Sequence, residues 1–487
     1  MGDRVVVFNF RNFDWCLSTS IEIIRRELER NASVDWAYWD TGLSFPREFP
    51  IAEKIRVLQI HRNIRTHRFL NLVKSGISSG SLSFLKFDAQ PVNQTGEIQS
   101  KARTAAYLEL ISRVREAHPN KENYRQILLK LENCYTKTYL KTMSELKKKR
   151  PDRVYIYNGR FLQERAVADY CNSAEIPIIY FERFNPSWKE RYFLFMKDTH
   201  SPHYRSKIMM EFGNRIQIDS HERFVELGAE WFSERQKGIT QPFTKYQNVD
   251  FTNGRSRPFF VFFHSSEDEL ITTDLTSETW GSQMQALRKL VNTMHKLGTH
   301  DLIVRMHPNL RFKSVVEIEI WRKLADELTF AHSWISFLSP ESPINSYSLI
   351  NESTAVVTVG STIGVEAAFM LKPSILIGRA FHEEMGITLN PADSLELLLL
   401  LSSDFSKLEF ESRRLNAMKY AIFHATGGVE FQDVKLQKPA LRNYDFLGVN
   451  LSNSLMVKLF MKLELHRIKV VKSIRSQLYR GNGVSES

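Results

Sequence analysis

The second half of the chain carries imidazole and hydroxyl groups just after strand-like apolar runs. His307 ends one run and is followed by a proline, and an imidazole there can donate a hydrogen bond to a phosphate oxygen. Ser361 and Thr362 follow a second run through a glycine, and Ser265 and Ser266 follow a third. Positioned donors of this kind stabilise the negative charge of a leaving group. The sequence therefore predicts a phosphate-binding site, with a satisfied loop histidine as the alternative for His307.

Glu366 lies one turn into the helix predicted after the Ser361-Thr362 pair. Its carboxylate can accept hydrogen bonds from ribose hydroxyls, and Gly364 allows a ligand or another backbone to approach closely. The alternative for Glu366 is ordinary compensation of the helix dipole in a first turn.

The first half of the chain places carboxylates and arginines after two predicted strands. Asn158, Arg160 and Glu164 follow one strand, and Glu182 and Arg183 follow the next. A carboxylate next to an acceptor hydroxyl can act as a general base, and arginine holds an anionic acceptor through paired hydrogen bonds. We predict that Glu182 or Glu164 is the base and that Asn158, Arg160 and Arg183 bind the acceptor. A structural Glu–Arg network is the alternative.

The common signatures of other nucleotide and metal enzymes are absent from the sequence. No Gly-x-Gly-x-x-Gly follows a strand and no Gly-x-x-x-x-Gly-Lys-Ser/Thr occurs, which argues against dehydrogenases and P-loop ATPases. No His-Glu-x-x-His or Cys/His cluster occurs among the 14 histidines and 3 cysteines. We therefore expect neither a metal nor a bound cofactor.

Parallel sheets would bring these loops together. Strand-like runs alternate with helical patterns in two series, separated by a polar segment at 236–258. Single hydrophobic cores stop growing at roughly 250–300 residues, so 487 residues suit two lobes. The prediction is an α/β protein with two facing, doubly wound, Rossmann-like lobes. The predicted domains are an acceptor lobe (1–240), a donor lobe (255–430) and a C-terminal extension (431–487).

The net charge of +11 is concentrated near the C-terminus. Leu455–Arg480 contains seven basic residues against one glutamate, and the pattern predicts a basic amphipathic helix. Such a helix binds anionic membrane surfaces; the alternative is a helix that packs across both lobes. No nucleic-acid recognition module accompanies the charge. With three dispersed cysteines and no signal peptide or membrane span, we expect a cytoplasmic protein at the inner face of the cytoplasmic membrane.

Taken together, the motifs resemble those of the capsule polysaccharide biosynthesis family, most strongly over residues 150–385. The residues that carry the resemblance are Asn158-Gly159-Arg160, Glu164-Arg165, Glu182-Arg183, His307-Pro308, Gly360-Ser361-Thr362, Glu366 and Lys372-Pro373. The loop with His264-Ser265-Ser266 departs from the family pattern. The family consists of bacterial GT-B glycosyltransferases, among them retaining and inverting enzymes that use CMP-linked acidic sugars. The resemblance implies that His307, Ser361 and Thr362 bind the nucleotide phosphate.

The function expected from these observations is sugar transfer from a nucleotide-sugar donor to a surface polysaccharide or a lipid-linked glycan. Two alternatives remain open at this point. One is a nucleotide-sugar 2-epimerase, which shares the two-lobe fold. The other is a scaffold for polysaccharide assembly that has kept the fold without turnover.

Overall fold

A computed structural model defines the fold. It describes residues 2–10, 14–39, 81–87, 96–183, 191–197, 199–239, 246–252, 254, 256–432, 434–437, 443–446 and 449–450. The basic helix predicted over Leu455–Arg480 lies outside the described residues.

The first half of the chain alternates strands with long helices. The strands are β1 (Arg4–Asn9), β2 (Ser33–Trp39), β3 (Ser81–Phe87), β4 (Arg153–Tyr157), β5 (Ile178–Glu182) and β6 (Arg191–Phe195). The helices are α1 (Asp14–Glu29), α2 (Gly96–Val114), α3 (Arg125–Lys149), α4 (Leu162–Ser173), α5 (Pro202–Asp219) and α6 (His221–Gln236).

The second half repeats this alternation with shorter elements. The strands are β7 (Phe259–Phe263), β8 (Asp301–Arg305), β9 (Ile335–Leu338), β10 (Ala355–Thr358), β11 (Ser374–Leu376), β12 (Val429–Glu430), β13 (Val434–Gln437), β14 (Asn443–Phe446) and β15 (Val449–Asn450). The helices are α7 (Glu267–Thr272), α8 (Gln283–Leu297), α9 (Val315–Ala331), α10 (Ser346–Glu352), α11 (Ile363–Phe369), α12 (Ser394–Leu401) and α13 (Phe410–Thr426), with 3₁₀ turns at Pro308–Phe312 and Phe405–Lys407.

The described strands form two main sheets. The first has the order β12-β6-β5-β4-β1-β2-β3, parallel from β5 to β3, with β6 and β12 antiparallel at one edge. The second is wholly parallel, with the order β11-β10-β7-β8-β9. The three remaining strands form a small antiparallel sheet, β13-β14-β15.

Both main sheets are covered on both faces. Along β1, Val6 and Phe8 join one hydrophobic cluster, while Val5 and Val7 join another on the opposite face. Along β7, side chains alternate between two clusters in the same way. Strands that are apolar on both faces require helices on both sides. The predicted α/β class with two doubly wound sheets is confirmed.

The end of the described chain returns to the first sheet. Helix α13 packs against α5 and α6, and β12 pairs with β6. Gly213 on α5 and Gly228 on α6 leave room for the side chains of Lys419 and Met418 on α13. Residues 410–430 were predicted to belong to the second lobe. In the structure they pack against helices of the first half and pair with one of its strands. The exact domain limits stay a prediction.

Candidate functional site

The carboxyl end of the second sheet gathers three of the predicted loops. Thr358 of β10 lies opposite Phe263 of β7, and Phe263 lies opposite Arg305 of β8. The loops that follow these three parallel strands therefore emerge side by side, at the edge where open α/β sheets bind ligands. His264, His307 and Gly360 lie within two residues of the ends of these strands.

Two histidines connect adjacent loops at this edge. The backbone N–H of His307 donates to Nδ1 of His264 at 3.2 Å, and the backbone N–H of Asn309 donates to Nδ1 of His307 at 3.0 Å. An Nδ1 that accepts a hydrogen bond leaves the proton of a neutral imidazole on Nε2. His264 also packs edge-on against Trp321, with 4.3 Å between ring centroids. The contacts set the tautomer of both rings.

Burial keeps both imidazoles neutral. Burial, together with the nearby cations of Lys313 and Arg305, lowers the pKa of His307 to about 4. The same effect of burial lowers the pKa of His264 well below its ordinary value. At neutral pH, His307 is therefore an uncharged hydrogen-bond donor through Nε2 rather than a cation.

The loop after β7 is held by Gln283 at the start of α8. The Ser265 N–H donates to Oε1 of Gln283 at 2.5 Å, and Nε2 of Gln283 donates to the Ser265 carbonyl at 3.1 Å. Ser265 is buried and its Oγ has no hydrogen-bond partner within the described structure. Ser266 is partly exposed at the N-cap of α7, without a side-chain capping bond. The structure thus leaves both hydroxyls outside the internal hydrogen bonds of the loop.

Backbone geometry fixes the glycine of the Gly-Ser-Thr loop. Gly360 has φ +152°, and a Cβ there would lie 2.7 Å from the carbonyl oxygen of Arg379. Oγ of Ser361 accepts the N–H of Ile363 at 3.3 Å. Thr362 is partly exposed, and its Oγ1 accepts a hydrogen bond from Nη2 of Arg235 at 3.0 Å. A residue of the first half of the chain thus reaches this loop.

Glu366 is buried, and both of its carboxylate oxygens are engaged. Oε1 accepts from Nη2 of Arg235 at 2.7 Å and from Nε at 3.0 Å, and Oε2 accepts the hydroxyl of Tyr347 at 2.5 Å. In this conformation the carboxylate ties α6 to α11. The role predicted for it toward ribose stays a prediction.

The carboxyl end of the first sheet brings the predicted base next to its neighbours. Tyr157 of β4 lies opposite Phe181 of β5, so Asn158 and Glu182 emerge together. Nδ2 of Asn158 donates to Oε2 of Glu182, and the backbone N–H of Arg183 donates to Oε1 at 2.9 Å. Asn158 has φ +53°, a conformation that asparagine tolerates better than most residues. Burial raises the pKa of Glu182, although the bond from Asn158 opposes this effect.

The two predicted arginines are partly buried, and each guanidinium lies near an aromatic ring. The guanidinium of Arg160 lies 4.8 Å from the ring centroid of Phe161, and that of Arg183 lies 5.3 Å from the ring centroid of Phe431. The positive charge of Arg160 also acts on Glu182. The structure therefore brings Asn158, Arg160, Glu182 and Arg183 together at one strand edge.

Glu164 is almost completely buried in the first turn of α4. The N-terminus of this helix receives a carboxylate from a neighbouring helix, because the Leu162 N–H donates to Oε2 of Glu109 at 3.1 Å. Glu109 also accepts from Nε of Arg113 at 2.8 Å. The role predicted for Glu164 stays a prediction.

The sequence interpretation missed several residues that link the two halves of the chain. Arg235 contacts Glu366 and Thr362, and the N–H of Ala117 donates to Oε2 of Glu317 at 3.0 Å. Nε2 of His118 lies 4.0 Å from Oε1 of Glu267, and burial raises the pKa of Glu267 to about 7. No sequence spacing indicates these contacts, because the two residues of each contact are more than 100 positions apart.

The described residues contain neither a metal-binding cluster of acidic, histidine or cysteine side chains nor a membrane-spanning helix. No group of three or more His, Cys, Asp or Glu side chains among them is placed to hold a metal ion. None of the helices within the described ranges combines the length and the apolar character needed to cross a membrane.

Comparison with known families matches residues 189–394 to the family described as capsule polysaccharide biosynthesis protein. The predicted family resemblance is confirmed over this segment. The segment contains His307, Ser361 and Thr362, whereas Asn158 and Glu182 precede it. A comparison with curated proteins found no match.

Matches to solved structures are remote. Two are Thermosulfurimonas dismutans KpsC structures. The beta Kdo 2,4 transferase is 10% identical and covers 56% of this chain and 79% of its own, with a TM-score of 0.36. The beta Kdo 2,7 transferase is 13% identical and covers 57% and 79%, with a TM-score of 0.33. The third, UDP-GlcNAc 2-epimerase from Neisseria meningitidis bound to UDP-GlcNAc, is 12% identical and covers 87% and 96%, with a TM-score of 0.30.

Proposed function

We propose that this protein is a glycosyltransferase of the GT-B type. It transfers a sugar from a nucleotide-sugar donor to a bacterial surface polysaccharide or a lipid-linked glycan. The observation that carries the proposal is the neutral, oriented imidazole of His307 at the carboxyl end of a parallel sheet, inside the segment that matches the capsule polysaccharide biosynthesis family.

The donor phosphate binds at the end of the second sheet. Nε2–H of His307 and the hydroxyls of Ser361 and Thr362 donate to the phosphate oxygens, assisted by Ser265 and Ser266. These donors stabilise the charge that develops on the leaving phosphate, and they need no metal ion to do so. Since the imidazole is neutral, it supplies a directed hydrogen bond without having to lose or gain a proton.

The acceptor binds at the end of the first sheet. Glu182 removes the proton of the attacking hydroxyl, and its raised pKa makes it a stronger base than an ordinary carboxylate. Arg160, Arg183 and Asn158 hold the acceptor around it. The basic segment Leu455–Arg480 supports an acceptor at an anionic membrane surface on the cytoplasmic side.

Nucleotide binding tests the donor site directly. CMP, CDP, UDP and GDP are each added to the purified protein, and thermal unfolding is recorded. A nucleotide at about 100 times its dissociation constant adds about 2.7 kcal/mol to stability. We expect at least one of the four to stabilise the wild type and His307→Ala to weaken its binding by about tenfold, since one buried hydrogen bond to a charged ligand is lost.

The matched control is His221→Ala, which removes an exposed histidine from the surface of α6 and should bind nucleotide as the wild type does. Unchanged binding by His307→Ala would remove the imidazole from the donor site. Donor consumption without any acceptor would favour the epimerase. Nucleotide binding without turnover of any donor would favour the scaffold.

A further inference from the structure

Arg235 forms a bridge between the two halves of the chain that the proposed mechanism does not yet use. It lies near the end of α6, and its guanidinium reaches the loop and helix that follow β10. Nη2 donates to both Oε1 of Glu366 and Oγ1 of Thr362, at 2.7 and 3.0 Å. Thr362 is one of the hydroxyl residues that the proposed function assigns to the donor phosphate.

The guanidinium is fixed from three sides. Its planar face lies 4.5 Å from the ring centroid of Trp231. Nε and Nη2 both bond to Glu366, and that carboxylate is held in turn by the hydroxyl of Tyr347. Glu366 raises the pKa of Arg235, although burial acts in the opposite direction. Arg235 is therefore a rigid, charged donor and not a mobile surface side chain.

This donor determines which way the hydroxyl of Thr362 points. A hydroxyl has one proton to donate and two lone pairs to accept with. Since Oγ1 of Thr362 already accepts from a cationic donor, its own proton must point away from Arg235. Accepting a charge-assisted bond also polarises the hydroxyl and strengthens it as a donor. The proton of the partly exposed Thr362 hydroxyl is thereby directed away from Arg235, where it can be donated to a ligand.

We propose that Arg235 is a positioning residue, which orients the Thr362 hydroxyl as a hydrogen-bond donor to the phosphate of a bound nucleotide. The inference rests on the proposed function and adds a residue to its donor site. Arg235 acts through Thr362 and does not itself touch the ligand.

A double-mutant cycle tests this coupling without any need for turnover. The variants are Arg235→Lys, Thr362→Val and the double variant, and affinity is measured by calorimetry with whichever of CMP, CDP, UDP and GDP stabilises the wild type. Lysine keeps the charge but lacks the fork of donors needed to bond both partners. Valine keeps the shape of threonine without its hydroxyl, and it leaves the Arg235–Glu366 pair in place.

We expect each single variant to weaken nucleotide binding by roughly tenfold and the double variant to bind no more weakly than Thr362→Val alone. Thr362→Ser should restore affinity, because it returns the hydroxyl. The control is Arg223→Ala, which breaks an exposed pair with Glu226 on the same helix and should leave affinity unchanged.

Three results would overturn the proposal. They are an Arg235→Lys variant that binds as tightly as the wild type, a double variant that shows the product of the two single losses, and a Thr362→Ser variant that binds as weakly as Thr362→Val. A purely structural Arg235 would lower the melting temperature and leave affinity intact. Failure of the wild type to bind any of the four nucleotides would instead overturn the donor site of the proposed function.

Discussion

At the scale of single residues, burial sets the protonation state of the candidate groups. It keeps His307 and His264 neutral and makes the carboxylate of Glu182 harder to ionise. Neutral imidazoles suit a site that donates hydrogen bonds, and a carboxylate with a raised pKa suits proton abstraction. The proposed donor site therefore offers neutral hydrogen-bond donors, whereas the proposed acceptor site offers a base.

The general base makes a prediction about pH. Glu182 must be ionised to act, so the transfer rate should rise with pH through its raised pKa, that is, above the ordinary range of a glutamate. Glu182→Gln should lower kcat by a factor of about 10² to 10⁴ and leave nucleotide affinity unchanged. The profile of kcat/KM against pH is the measurement. The control is Glu122→Gln, at an exposed position. If the fall in kcat/KM at low pH persists in Glu182→Gln, that fall is due to the titration of another group.

At the scale of elements, strand register decides which loops meet. The pairing of β7 with both β8 and β10 places His264, His307 and Gly360 at one edge. The sequence predicts these loops, because it shows the apolar runs of the strands and the glycine and proline that follow them. The strand order is not visible there, because it depends on which helices cover each face.

Gly360 provides a test at this scale. A Cβ at this position would press against the backbone oxygen of Arg379, and φ +152° disfavours any other residue. We expect Gly360→Ala to lower the free energy of unfolding by about 1–3 kcal/mol and to weaken nucleotide binding, since Ser361 and Thr362 follow directly. Urea denaturation measures the first effect. Gly254→Ala, whose Cβ would meet nothing within 4 Å, should be neutral; equal stability of the two variants would contradict the strain at Gly360.

At the scale of the whole molecule, polar groups are buried where the two halves of the chain meet. Helix α13 lies on α5 and α6, and it brings Tyr420 and His424 next to Trp231. The ring of His382, from the loop after β11, packs edge-on against Tyr420 at 5.9 Å. Arg205 lies between Phe195 and Phe381, and burial lowers its pKa to about 10.

The buried histidines His382 and His424 should make the free energy of unfolding depend on pH. Burial lowers the pKa of His382 to about 4 and that of His424 well below its ordinary value. In the unfolded chain a histidine binds a proton below about pH 6.5, so unfolding takes up protons between about pH 6.5 and 4. Stability should therefore fall as the pH is lowered through this window. His382→Phe should reduce the slope by close to one proton, about 1.4 kcal/mol per pH unit. Urea denaturation at several pH values gives the slope, and an unchanged slope would show that His382 takes up no extra proton.

Local sequence patterns predict the α/β class, the alternation of strands and helices, and the loops that carry His307, Ser361, Thr362 and Glu182. These features depend on local periodicity and on residues next to each other in the chain. Packing of the folded chain brings Arg235 to Thr362 and Glu366, places α13 against helices of the first sheet, and buries His307 so that its imidazole stays neutral. Contacts between distant segments and the loss of water around a side chain arise from packing, and neither leaves a pattern in the local sequence.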